Sequence, residues 1–257
     1  MLLVILCISG LLTSLAPPVE SDTPLPFPPP AVGPVVSVGS RAGFIGIGVT
    51  ASSGQLLVRL TTPDSTPGVD PETDPSLKLS GNIATGLDDE ASKLGFRGCG
   101  TGCFVAPTRW AKGLSTVTLR PSSGTWAGGT TAVSVAWPPD SATARLASVV
   151  AAMRTVPSFV VHEQITSDTT TGMSSVRSFP LSGSEFLAIG PYGSGVATSA
   201  TVLSEQATQT TLALGYPAEA TYVLLTVDAD QRITRETLAA PNHLISRTFV
   251  YPGPDAD

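Results

Sequence analysis

The chain holds two histidines, His162 and His243, each inside a strand-like run, Val161-His-Glu-Gln164 and Pro241-Asn-His-Leu244. Imidazole next to a carboxylate is the chemistry of a proton relay or a metal site, so His162, Glu163 and His243 are the candidate ligands for a metal ion, copper included. They can act together only if the first and last strands of the second half of the chain approach one another. The competing reading leaves each histidine as a polar-face or part-buried residue.

Thiols offer a second possibility, because Cys99 and Cys103 lie in Gly98-Cys-Gly-Thr-Gly-Cys-Phe104. Such a pair can close a tight disulfide loop in an oxidising compartment, with the glycines supplying unusual backbone angles. This is the favoured reading. Its rival, a thiolate metal or redox site, lacks a second cysteine pair or a nearby histidine.

Catalytic signatures are missing. There is no Gly-x-Ser-x-Gly elbow, no dinucleotide or phosphate-loop pattern, and no paired carboxylates in a recognisable setting, so the chain is expected not to be an enzyme. The acidic stretch Asp64, Asp70, Glu72 and Asp74 lacks the ligand spacing of a calcium loop and reads as a solvated hairpin. Charged residues make up 13% of the chain and the net charge is -6. That balance offers no basic face for nucleic acid.

The elements that must position these residues are mainly strands. Aromatic residues stay at 6% while Gly and Pro number 25 and 23, which suits short strands and many turns. Residues 43–139 read as an antiparallel β-sandwich, with Trp110 and Trp126 as core or corner residues. Residues 140–252 open with one helix, capped by Asp140 or Ser141 and stopped by Pro157, with Leu146, Val149, Val150, Met153 and Val156 at helical spacing. Eight strand-like runs follow: Ser158 to Thr166, Val176 to Leu181, Glu185 to Ile189, Ala200 to Ser204, Thr210 to Leu214, Thr221 to Val227, Ile233 to Leu238 and His243 to Tyr251. The expected fold is mainly β: a sandwich, then an α+β domain with one helix on a curved antiparallel sheet. A cavity for an apolar, lipid-like ligand would then lie behind Leu146, Val149 and Met153.

Ahead of both domains, Leu2 to Ala16 carries no charge, and its fifteen positions fall short of the roughly 20 of a comfortable membrane span. Residues 1–16 are therefore either a signal-peptide core without a basic start or the end of a membrane helix that begins upstream. Both readings put the rest of the chain on the extracytoplasmic side of the cell membrane, or in the cell envelope if the segment is cleaved. Residues 17–42 read as a Pro-rich linker, and residues 253–257 as a tail.

Several blocks together resemble the C-terminal extracytoplasmic region of actinobacterial copper-transport proteins with a copper-resistance membrane domain. They are Ala16-Pro-Pro18, Gly98-Cys-Gly-Thr-Gly-Cys-Phe104, Trp126-Ala-Gly-Gly129, Trp137-Pro-Pro139, the 156–167 stretch, Ala240-Pro-Asn-His-Leu244 and Phe249-Val-Tyr-Pro252. The resemblance implies an immunoglobulin-like module, a lipoprotein-carrier-like domain, an upstream transmembrane domain, and a non-catalytic accessory role in copper homeostasis. Copper ligation itself is thinly supplied, since the whole chain has two His and three Met, of which Met173 is the exposed candidate. The alternative function is a carrier or sensor of an apolar ligand in the cell envelope.

Overall fold

The computed structural model describes residues 33–63, 76–85, 90–167, 175–189, 191–194, 197, 199–216, 220–240 and 243–252. The apolar segment 1–16, the acidic stretch 64–74, Met173 and the tail 253–257 lie outside them. Among the described residues no helix is long and apolar enough to cross a membrane.

The first unit is built from β1 (Val35–Ala42), β2 (Ile45–Ser52), β3 (Gln55–Thr61), β4 (Lys78–Ala84), β5 (Ser92–Lys93), β6 (Arg97–Gly100), β7 (Cys103–Pro107), β8 (Gly113–Ser122) and β9 (Thr131–Trp137). They form two antiparallel sheets, β1-β2-β3-β7-β6 and β5-β4-β8-β9. Alternation explains the stacking. In β8, Ser115, Val117 and Leu119 are buried while Leu114, Thr116 and Arg120 are not, so one face meets the core and one meets water. Ile45, Ile47 and Val49 of the first sheet join Val117, Leu119 and Val135 of the second in one apolar cluster. Trp110 and Trp126 pack part-buried against it, and Trp110 donates Nε1–H to the Ser52 carbonyl at 2.8 Å.

The second unit runs β10 (Asp140–Ser141), α1 (Thr143–Arg154), β11 (Phe159–Ser167), β12 (Arg177–Leu181), α2 (Gly183–Ala188), α3 (Pro191–Ser194), β13 (Ser199–Glu205), β14 (Gln209–Tyr216), β15 (Thr221–Asp228), β16 (Ile233–Ala240) and β17 (His243–Val250). Its eight-stranded sheet has the order β10-β13-β14-β15-β16-β17-β11-β12, antiparallel throughout. The meander β13 to β17 is closed by β11, so the expected approach of the first and last long strands occurs. Val149 and Met153 of α1 and Phe186 of α2 cover one face, packing on Phe159, Leu212, Leu214, Val223 and Phe249.

The other face is covered too, by the first unit. Gly39 and Gly48 are paired across β1 and β2, and a Cβ on Gly48 would overlap the Tyr222 ring of β15. The two glycines leave a seat for that buried ring. Beside it, Ser199 donates to Ser37 at 2.9 Å across the joint. Covered on both faces, β14 and β15 read as near-continuous apolar runs, Leu212-Ala-Leu-Gly-Tyr216 and Tyr222-Val-Leu-Leu225.

Three expectations change. Val35–Ala42, placed in the linker, is β1, because Val36 and Val38 alternate inward as soon as Pro34 is passed. Asp140 and Ser141 do not cap α1: they pair with Val202 and Thr201, and the helix starts after Ala142 with no side-chain cap. The run Glu185 to Ile189 is no strand. Ser182 and Glu185 form a capping box, Ser182 accepting from the Glu185 N–H and the Glu185 carboxylate accepting from the Ser182 N–H, and this nucleates α2.

Candidate functional site

On the helix-covered face a row of charges crosses the sheet. Register places Glu236 of β16 opposite Arg247 of β17, Arg247 opposite Glu163 of β11, and Glu163 opposite Arg177 of β12. Arg247 donates Nη1–H to Glu236 at 2.8 Å, and both Nε and Nη2 reach Glu163 at 2.7 Å. The Tyr192 hydroxyl of α3 donates to the second oxygen of Glu236 at 2.8 Å. The Glu236 side chain is fully buried, and the Glu163 and Arg247 side chains are 9% and 11% exposed. The Phe186 ring, 5.9 Å from the guanidinium carbon, roofs the cluster.

Burial sets the electrostatics here. Desolvation alone would push the Arg247 guanidinium down, but Glu236 and Glu163 outweigh it and hold it above its ordinary value. Desolvation, then the neighbouring Glu236 charge, pushes the Tyr192 phenol well up, so it stays a neutral donor. The cluster is internally paired, with Arg247 bridging Glu236 and Glu163 and Tyr192 holding the other Glu236 oxygen. Removing Arg247 would leave two buried carboxylates, one on each strand beside β17, without the guanidinium between them.

The histidines and Glu163 do not converge. His162 shares a 2.7 Å hydrogen bond between Nδ1 and Ser178 Oγ, while Glu163, its neighbour on the strand, is engaged with Arg247. His243 pairs by backbone with Ser167 and Ala240, and it lies five positions along β17 from Thr248, the partner of His162. That is about 17 Å of strand. The His243 side chain lies outside the described residues. Among those residues no group of three His, Cys, Asp or Glu could hold a metal ion.

Cys99 and Cys103 are joined by a disulfide, closing the β6–β7 turn. Gly100 and Gly102 inside it have φ of +140° and +63°, angles that a Cβ disfavours, so the glycines make the short loop possible.

Val149 and Met153 are fully buried. The Met153 sulfur accepts from the Ile233 N–H at 3.5 Å and lies 3.3 Å from the Tyr251 hydroxyl, which donates to the Ile233 carbonyl. At these two side chains the space between helix and sheet is occupied by packing, and Leu146 is part-buried at the edge of the same cluster.

Open space lies on the opposite face, at the joint between the units. A cleft of about 250 Å³ is walled by Val38 of β1, Leu114 of β8, Val133 of β9, Leu203 of β13 and Leu224 of β15. Ser134, Ser204 and Thr211 add hydroxyls, and none of the described residues lining it is charged. Leu114 is 52% exposed in this wall, a large apolar side chain left to solvent. Sequence reasoning missed this cleft, because its walls come from both units.

Comparison of the chain with models of protein families, with characterised proteins and with solved structures finds no match.

Proposed function

We propose that this chain is the exterior, non-catalytic binding module of a membrane-associated protein, acting in the copper-handling setting that the resemblance implies by docking a partner molecule rather than by ligating the ion. One contrast carries the reading. The buried Glu163, Glu236, Arg247 and Tyr192 side chains are engaged with one another, whereas the joint between the units leaves an open cleft of ligand size with no charge among its described lining residues. The disulfide supports an oxidising compartment, and the N-terminal apolar segment would supply the membrane attachment.

Copper titration of the full chain against a chelator of known affinity tests it. The expected result is no Cu(I) or Cu(II) binding above the chelator, with no difference in His162→Ala or His243→Ala. Stoichiometric binding lost in either variant would replace docking by direct ligation.

A further inference from the structure

We propose that the cleft between the units is the binding site for an uncharged, chain-like apolar molecule carrying a hydroxyl or ester end, of the size of a medium-length fatty alcohol. The inference rests on the binding-module reading above and adds the place and the chemical class of the ligand. The lining decides the class. Leu114, Leu203 and Leu224 present branched apolar surface from three strands in two sheets, and Ser204 and Thr211, opposite one another on β13 and β14, present hydroxyls. Among the described residues that line the cleft there is no cation to neutralise a carboxylate or phosphate and no anion to receive an ammonium, so a charged ligand would lose hydration without compensation.

Volume narrows the choice further. An apolar cavity of roughly 150 Å³ admits a benzene-sized molecule, so about 250 Å³ holds a medium-length alkyl chain and excludes a folded peptide element. Leu114 supplies an independent pointer, since it stands half-exposed on the cleft wall where an occupant would cover it. The site also differs in place from the space behind α1, which Val149 and Met153 fill from the other face of the same sheet. A ligand here touches Val38 and Val133 of the first unit and Leu203 and Leu224 of the second at once, and therefore braces the joint.

Photolabelling of the full chain with a diazirine-bearing analogue of 1-decanol, followed by peptide mapping, tests this. Saturable labelling is expected on peptides containing Leu114, Leu203 or Leu224. Unmodified 1-decanol should compete at least tenfold better than decanoate. Leu114→Glu places a charge on an exposed position; it should cut labelling at least tenfold while the unfolding midpoint stays unchanged. Leu203→Trp, which fills the cleft, should do the same. Labelling that maps to residues 146–153 and is lost in Leu146→Trp would overturn the site, and equal competition by decanoate would overturn the ligand class. Absence of saturable labelling overturns the inference but leaves the docking reading to the copper titration.

Discussion

Arg247 holds two buried carboxylates from the strands on either side of it, and its loss is the most damaging single change expected in the second unit. Arg247→Leu leaves the buried Glu163 and Glu236, on the strands flanking β17, without the guanidinium that pairs them, so a loss of about 3–5 kcal/mol is expected in urea unfolding. Tyr192→Phe removes one hydrogen bond to the buried Glu236 and should cost about 1.5–3 kcal/mol. The Tyr192 phenol is raised in the folded state above its ordinary value of 10.0. Its contribution is therefore full below about pH 10 and is lost as pH rises through the folded value. Wild-type stability should fall in strong alkali more steeply than that of Tyr192→Phe. Of this cluster only Glu163 was legible, singled out because it follows a histidine. Glu236 and Arg247 are far from it in sequence, and register alone makes them neighbours. A signal was present: Arg247 interrupts Ile245 and Phe249 at inward positions, where a charge needs a partner.

At the scale of elements, α2 depends on its cap and on its fit against α1. Ser182→Ala removes the capping box and should cost about 1 kcal/mol. The Glu185 carboxyl is held below its ordinary value by the Ser182 backbone N–H and then by the Ser182 hydroxyl. A lowered carboxyl stabilises above its unfolded value and loses that contribution as pH falls through the folded one. Amide exchange in 183–188 should therefore speed up in acid relative to α1, beyond the intrinsic pH trend. Gly183 abuts the C-terminal turn of α1, where a Cβ would overlap the Met153 carbonyl. Gly183→Ala should destabilise by about 1–3 kcal/mol despite the better helix propensity of alanine. Cys99→Ser with Cys103→Ser opens only a five-residue loop and should cost about 2 kcal/mol by loop entropy. Alternation placed most strands of the second unit within two residues of their observed ends. It failed at 185–189, where a local cap outweighs a short apolar run.

The whole molecule turns on the joint in which β1 and β2 lie over the outer face of the second unit's sheet. Because Gly39, Gly48 and Gly215 let the two surfaces meet at backbone distance, with Tyr222 buried between them, the units should unfold in one calorimetric transition. Gly48→Val drives a side chain into the Tyr222 ring, and the expected result is a split into two transitions, the first lower than the wild-type midpoint.

Composition, alternation and punctuation by themselves determined that this chain is mainly β, that its second half pairs one substantial helix with a long antiparallel sheet, and that Cys99 and Cys103 can close a small loop. These properties are local, and side-chain period and turn chemistry write them into short windows of residues. Tertiary structure decided the rest. The linker's last residues became a strand, His162 and His243 came to lie on paired strands yet far apart along them, and Glu163 was claimed by Arg247 rather than by a histidine. The uncharged cleft appeared where three sheets meet. Each of these depends on register and on the stacking of one unit upon another, which contacts between distant residues set.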